Sequence, residues 1–309
     1  MLCKFPFVPK EGTIPVRCGQ CLPCRVARRR LWSARIFLES LCFTDNSFVT
    51  LTYKDSPGTL DPKHSQLWLK RLRKSVHPLK IRFFLVGEYG DLTFRPHYHA
   101  ILFGYPACEY GKPRVTKASN CPCSPCQTLQ SSWSYGFTYL GTVTHDSAQY
   151  VSGYTVKKMT SKDDDRLEGR YPEFARMSNR PGIGATYLQH LVDTLNDSDF
   201  ASDAFLDGDV PTNLTMGKKS LPLGSYLRSK LRVMLGMDPK TPVHILEAYA
   251  DQCRDDVINS KSDYERIHYS VPLTYPERLA SVVRQQNASD VLSFEKRYRI
   301  FESRKRKPL

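Results

Sequence analysis

The chain reads as an α+β protein: a central antiparallel sheet with flanking helices, followed by a helical C-terminal region. Three observations lead there. The segments SFVTLTY (47–53), IRFFLVGEY (81–89) and HYHAILFG (97–104) are rich in β-branched and aromatic residues and have strand length. Only the turn GDLTFRP separates the last two, so they pair as antiparallel neighbours. Amphipathic stretches with helical spacing lie between and beyond them. With 309 residues, 40% hydrophobic and 11% aromatic, the chain can bury a sizeable core and is not disordered.

Taken in order, residues 19–42 form a helix with Val26, Trp32, Ile36 and Phe37 near one stripe and arginines around it. Strand 47–53 follows, then the turn KDSPG. An Asp-Pro start opens a basic amphipathic helix over 61–77. Strands 81–89 and 97–104 come next, then a cysteine-bearing insertion at 105–127 and a strand over 133–141. HDSAQYVSGYTVKKM (145–159) is a helix with an Asp-Ser start. A loop with a Gly/Pro turn leads to a short helix near 186–195. The acidic stretch 196–213 is a linker. Helices over 222–235 and 242–268, then a basic helix and tail, complete the chain. The expected division is 1–195, an acidic linker 196–220, and 221–309. No internal repeat is visible.

The net charge is +14, and it is concentrated at the ends. Residues 1–40 hold eight basic and two acidic side chains, and residues 296–309 hold seven and one. Such ends point to a polyanionic partner, with Arg25, Arg28, Arg29 and Arg30 in the first and Arg304, Lys305, Arg306 and Lys307 in the last as phosphate contacts. The longest apolar runs are a few residues, against about 20 for a membrane helix, and no signal peptide is visible. A reducing compartment is then expected, in which the ten cysteines act as metal ligands or free thiols. Cys18, Cys21 and Cys24 form one group, with Cys3 or Cys42 as a fourth member. Cys108, Cys121, Cys123 and Cys126 form a second candidate zinc set.

The chemistry centres on two short patterns. His97 and His99 alternate on a strand, so both imidazoles project from one face. Glu88 ends the preceding strand and falls beside them if the strands pair through the turn. Two imidazoles and a carboxylate leave open positions on Mg²⁺ or Mn²⁺ for phosphate and water. Tyr150 and Tyr154 lie at i and i+4 and share a helix face, with Lys157 three residues on. A tyrosine hydroxyl near a divalent cation and a lysine can attack a phosphodiester and form a phosphotyrosine.

The ordered set FVTLTY, GEYG…RPHYHAILFG and YVSGYTVKK resembles the three motifs of HUH-type rolling-circle replication initiators. CGQCLPCR (18–25) and RPGIG (180–184) are similar to elements of the microvirus (gokushovirus-type) phage initiators within that superfamily. The resemblance covers roughly 15–190. It implies a ferredoxin-like core, with Tyr150 and Tyr154 as alternating nucleophiles. His97, His99 and Glu88 become ligands of Mg²⁺ or Mn²⁺, and Lys157 a phosphate-positioning cation. Gly153 stands where some relatives carry a lysine, so Lys157 acts alone or with Lys158. Thr50, Thr52 and Tyr53 match the first motif, with a structural or DNA-proximal role. The implied activity is origin-specific nicking and rejoining of DNA, in the cytoplasm of a bacterial host. No P-loop pattern is present, so helicase and polymerase come from the host. Two rivals stand beside this reading. One is a non-enzymatic zinc-containing nucleic-acid-binding protein. The other is a plasmid relaxase or transposase of the same nuclease class.

Overall fold

The computed structural model describes residues 2–90, 93–111, 121–143, 153, 164–196, 208–260 and 274–305. They divide into two compact units. One comprises 29–201 and 211–235, the other 1–28, 202–210 and 236–309. The helix expected over 145–159 lies, apart from Gly153, outside the described residues, as does most of the expected linker.

The sheet unit is α+β, as the strand and helix patterns predict. Helix α1 (Leu22–Ser40), which starts in the other unit, precedes strand β1 (Asn46–Tyr53), α2 (Pro62–Ser75), β2 (Arg82–Tyr89) and β3 (Pro96–Phe103). Then come α3 (Ser124–Ser132), β4 (Gly136–Thr142), β5 (Phe174–Met177) and α4 (Leu188–Asn196). The five strands are antiparallel in the order β4-β1-β3-β2-β5. Strands β1 to β4, with α2 and α3 as crossovers, make the split β-α-β-β-α-β arrangement of a ferredoxin-like core. Asp61 caps α2 by accepting a 2.7 Å hydrogen bond from the Lys63 amide, with Pro62 at the first position.

Two apolar layers sandwich the sheet. On one face, Trp68, Leu69 and Leu72 of α2 and Cys126 and Leu129 of α3 pack on Val49, Leu51, Tyr98, Ala100 and Leu102. Helix α3 falls partly inside the expected cysteine insertion. The strand expected from residue 133 begins instead at Gly136. Trp133 caps α3 and turns inward, and its indole N–H donates to the Thr52 carbonyl at 3.0 Å. On the other face, Trp32 and Ile36 of α1 pack on Phe84, Val86, Ile101 and Phe103.

The RPGIG element is held against this second layer. The Glu39 carboxylate, fully buried, accepts from the Gly184 amide at 2.6 Å and pairs with Arg82. Arg82 also donates to the Pro181 carbonyl at 2.7 Å, and Arg35 to the Ile183 carbonyl at 2.9 Å. Gly184 has φ +85°, and a Cβ there would stand 3.0 Å from the Arg35 carbonyl, so both conformation and space require glycine. Hairpin β6–β7 (Asn213–Met216, Lys219–Pro222) and helix α5 (Gly224–Met234) belong to the same unit, and the Tyr226 hydroxyl accepts from the Gly182 amide at 2.8 Å. The hairpin and the short β5 have no clear sequence pattern.

In the other unit, α6 (Val243–Asn259) and α7 (Tyr275–Lys305) bury Cys253 with Leu279 and Val283. Among the described residues no helix is long and apolar enough to cross a membrane.

Removing the Glu39 carboxylate strands Arg82 and the Gly184 amide, so Glu39→Ala is expected to lower stability by about 3–5 kcal/mol. Urea unfolding checks this, and an unchanged midpoint would show that the clamp contributes nothing.

Candidate active site

Strand β3 lies at the centre of the sheet, between β1 and β2. Cross-strand register places Thr50 and Val86 opposite His99, and Thr52 and Glu88 opposite His97. Because strand residues alternate faces, Thr50, Glu88, His97 and His99 share the side that also carries Phe48 and Ile101. The intervening Tyr98 points into the opposite layer. The expected pairing of Glu88 with the histidine strand is thus the observed one.

The three polar groups converge. Glu88 is 2% exposed and His99 is 5% exposed, while His97 is half-buried. Glu88 Oε1 lies 2.7 Å from His97 Nε2 and 3.1 Å from His99 Nε2. All three ligand atoms fall within 4.8 Å of one another. Adjacent ligands of an octahedral ion at about 2.1 Å are about 3.0 Å apart, so the set fits one small divalent cation.

The distal imidazole nitrogens explain the ring orientations. His97 Nδ1 lies 3.1 Å from the Arg95 carbonyl, which can only accept, so Nδ1 carries the proton. His99 Nδ1 lies 2.9 Å from Thr50 Oγ1, and a donor role there leaves Nε2 as the lone pair facing Glu88. Phe48 stacks on His99 at 5.6 Å between centroids and an 18° tilt. Thr50 therefore has a definite task, and the signal that could reveal it is its position opposite His99 in the strand register. The carbonyl role of Arg95 had no sequence signal, since any residue supplies a carbonyl.

Tyr53, from the same motif as Thr50, is not a nucleophile. Its hydroxyl lies 2.8 Å from that of Tyr98 and 2.9 Å from His64 Nδ1, in the opposite layer. Burial first, then hydrogen bonding to Tyr98, pushes its pKa far up.

Tyr150, Tyr154, Lys157 and Lys158 lie outside the described residues. Gly153, between the two tyrosines in sequence, is described, and a Cβ there would be 3.6 Å from Arg29 Nε. Arg29 thus stands beside Gly153. On α1, Arg28 and Arg30 differ little in setting from Arg25 and Arg29: all four lie on the surface or partly covered. Arg304 and Lys305 end α7, and Arg306 and Lys307 lie outside the described residues.

Both cysteine groups are assembled. Cys3 joins Cys18, Cys21 and Cys24, and Cys108 joins Cys121, Cys123 and Cys126, each set within 4.8 Å. Cys42 is elsewhere, its thiol bonding the Leu38 carbonyl at 3.6 Å. Burial raises Cys18, but hydrogen bonds from the backbone of Cys21 and Gln20 and from neighbouring thiols outweigh it and bring it down to about 6. Burial likewise opposes ionisation of Cys123, and backbone and thiol hydrogen bonds lower it to about 7. Burial and neighbouring sulfurs push Cys24 and Cys126 far up.

Comparison with known proteins agrees with the site. Residues 46–159, from the start of β1, match the replication-associated protein family named for the ORF2 and gene-2 proteins. The chain is 30% identical over 184 residues to "Replication-associated protein VP4" of Bdellovibrio phage phiMH2K, covering 56% of this chain and 57% of that one. It is 33% identical over 186 residues to "Replication-associated protein ORF2" of Spiroplasma virus 4, again 56% and 57%. It is 30% identical over 180 residues to "Replication-associated protein ORF4" of Chlamydia phage 1, covering 52% and 44%. The chain spans about half the length of the curated relatives it matches. No solved structure matches significantly.

If Thr50 orients His99 for metal, Thr50→Val is expected to weaken Mn²⁺ affinity about 10- to 100-fold, with Thr50→Ser near the parent. Calorimetric titration measures this, and equal affinity for Val and Thr would remove Thr50 from the role.

Proposed function

We propose, from these phage relatives and the geometry of the sheet, that the chain is a microvirus-type replication initiator. In this reading it nicks and rejoins a DNA origin through a covalent 5′-phosphotyrosine. What carries the reading is the convergence of Glu88, His97 and His99 on one point, with both imidazoles fixed through their distal nitrogens. Such a donor set suits a divalent cation with positions left for phosphate oxygen.

Glu88, His97 and His99 hold Mg²⁺ or Mn²⁺ against the scissile phosphate. When bound, the cation withdraws negative charge from the phosphate oxygens. Tyr150 or Tyr154 supplies the attacking oxygen. Its bond to phosphorus forms as the bond from phosphorus to the 3′ oxygen breaks, and the 3′ oxygen leaves to take up a proton. Lys157, with Lys158 beside it, offsets charge on the phosphate during that exchange. Arg29, placed next to Gly153, adds a further cation at the tyrosine segment. The product keeps the energy of the phosphodiester, so the second tyrosine can later repeat the exchange and the displaced strand can be closed into a circle. The free 3′ hydroxyl then primes a host polymerase, and unwinding falls to a host helicase.

A purely nucleic-acid-binding zinc protein has no use for a buried carboxylate between two imidazoles. A plasmid relaxase or transposase would share the chemistry, but the similarities found are to phage replication-associated proteins.

Tyr150→Phe combined with Tyr154→Phe is expected to abolish the covalent adduct with a single-stranded origin oligonucleotide in Mn²⁺, seen on a denaturing gel and by mass spectrometry. A persisting adduct sinks the nucleophile assignment. His97→Ala with His99→Ala is expected to remove Mg²⁺- or Mn²⁺-dependent cleavage while leaving salt-sensitive DNA binding. Cleavage that survives chelation would overturn the metal role.

A further inference from the structure

Eight of the ten cysteines lie in two four-thiol clusters that phosphodiester chemistry does not use. The clusters are built alike. In Cys21-Leu-Pro-Cys24 the first cysteine immediately precedes α1 and the last lies in its first turn. In Cys123-Ser-Pro-Cys126 the first cysteine is the N-cap of α3 and the last lies in its first turn. Each pattern has one more cysteine just upstream, Cys18 or Cys121, and a fourth from a separate stretch, Cys3 or Cys108. A helix N-terminus favours thiolate through its free amides and dipole.

The sulfur spacing selects the ligand. Cys108 and Cys121 are 3.7 Å apart, Cys121 and Cys123 3.4 Å, and Cys108 and Cys123 3.9 Å. In the other cluster, Cys3 and Cys21 are 3.9 Å apart. Four sulfurs at about 2.3 Å from a tetrahedral ion are about 3.8 Å from one another. A disulfide needs about 2.0 Å. An iron–sulfur cluster spreads its cysteines over several irons, farther apart than one ion does.

The backbone supports charged sulfurs in the N-terminal cluster. The amides of Lys4, Cys18 and Cys21 point at the sulfurs of Cys21, Cys3 and Cys18, each at 3.4 Å. Gly19, at φ +74°, turns the chain between Cys18 and Cys21. The Asn287 side chain of α7 reaches the Cys3 carbonyl at 3.5 Å. In the second cluster, the Tyr105 hydroxyl donates to the Pro125 carbonyl at 2.6 Å, and Cys123 and Cys126 are buried in the helix-covered layer.

We propose that each four-cysteine cluster binds one Zn²⁺ in a closed tetrahedral site, so that the chain carries two structural zinc ions distinct from the metal of the His–Glu site. Thiolates select zinc, while the carboxylate and imidazole set stays with the harder, exchangeable cation. One zinc ties the first residues of the chain to the start of α1. The other ties the 105–127 insertion to the start of α3, on the sheet face opposite His97 and His99. With no open ligand position, neither takes part in the nicking reaction.

The test uses the full chain, expressed and dialysed without added metal. Elemental analysis is expected to give two zinc per chain, and Co²⁺ substitution to give the visible spectrum of tetrahedral four-sulfur coordination, saturating at two equivalents. Cys3→Ser and Cys108→Ser should each remove one equivalent, and Cys42→Ser none. The Co²⁺ titration of the unmutated chain keeps the test valid if a serine variant fails to fold. Zinc-free protein, a single equivalent, iron in place of zinc, or disulfides detected as lost hydrogens in the unreduced mass would each overturn the proposal. Loss of the tyrosine adduct in the Tyr150 and Tyr154 variants leaves the zinc count untouched, so the two readings fail separately.

Discussion

A carboxylate cannot stay charged inside an apolar sheet unless something compensates it. Glu88, 2% exposed on the second strand of a five-stranded sheet, meets that condition through the two imidazoles of the neighbouring strand. Much of the surrounding structure follows from holding those three groups together. Their rows are fixed by antiparallel register on both sides of β3, and a slip of one residue would send His97 and His99 into the tyrosine layer. That opposite layer, packed with Trp68, Tyr98 and Trp133, is what makes a slip costly. The rigid part of the site is therefore the sheet itself.

Around this centre the donor chemistry separates metals by hardness. Oxygen and imidazole nitrogen sit together in the sheet, and sulfur sits in two separate clusters at helix starts. The same separation divides labour. The sheet site keeps positions open for a phosphate, and the sulfur sites are closed and hold chain segments in place. The RPGIG element belongs to the second kind of device. Glu39, Arg82, Arg35 and Tyr226 hold its backbone, so the glycines serve a close approach to α1 rather than a flexible lid.

Legibility in the sequence followed periodicity. Strands with dense β-branched and aromatic residues, and helices with a marked start such as Asp61-Pro62, stand within a few residues of where their patterns put them. The His-x-His face and its pairing with Glu88 were readable because a seven-residue turn leaves those strands little choice. Strand β5 and the hairpin β6–β7 were not readable: each strand is four residues long. Strands so short are stabilised by tertiary pairing rather than by their own pattern. Helix α3 was hidden because its cysteines and proline resemble a metal loop, which it also is.

By itself the sequence determined the α+β class, the order of the main elements, the paired histidines with Glu88, and the grouping of cysteines. These rest on spacing along one chain, which local geometry converts directly into shared faces. Only the tertiary structure decided the rest. It set Thr50 against His99 and the Arg95 carbonyl against His97, and it brought Cys3 rather than Cys42 to the first thiol cluster. It also put Arg29 beside Gly153. Each of these joins residues distant in sequence, or involves a backbone group common to every residue type, so no local pattern marks it until the sheet and helices pack.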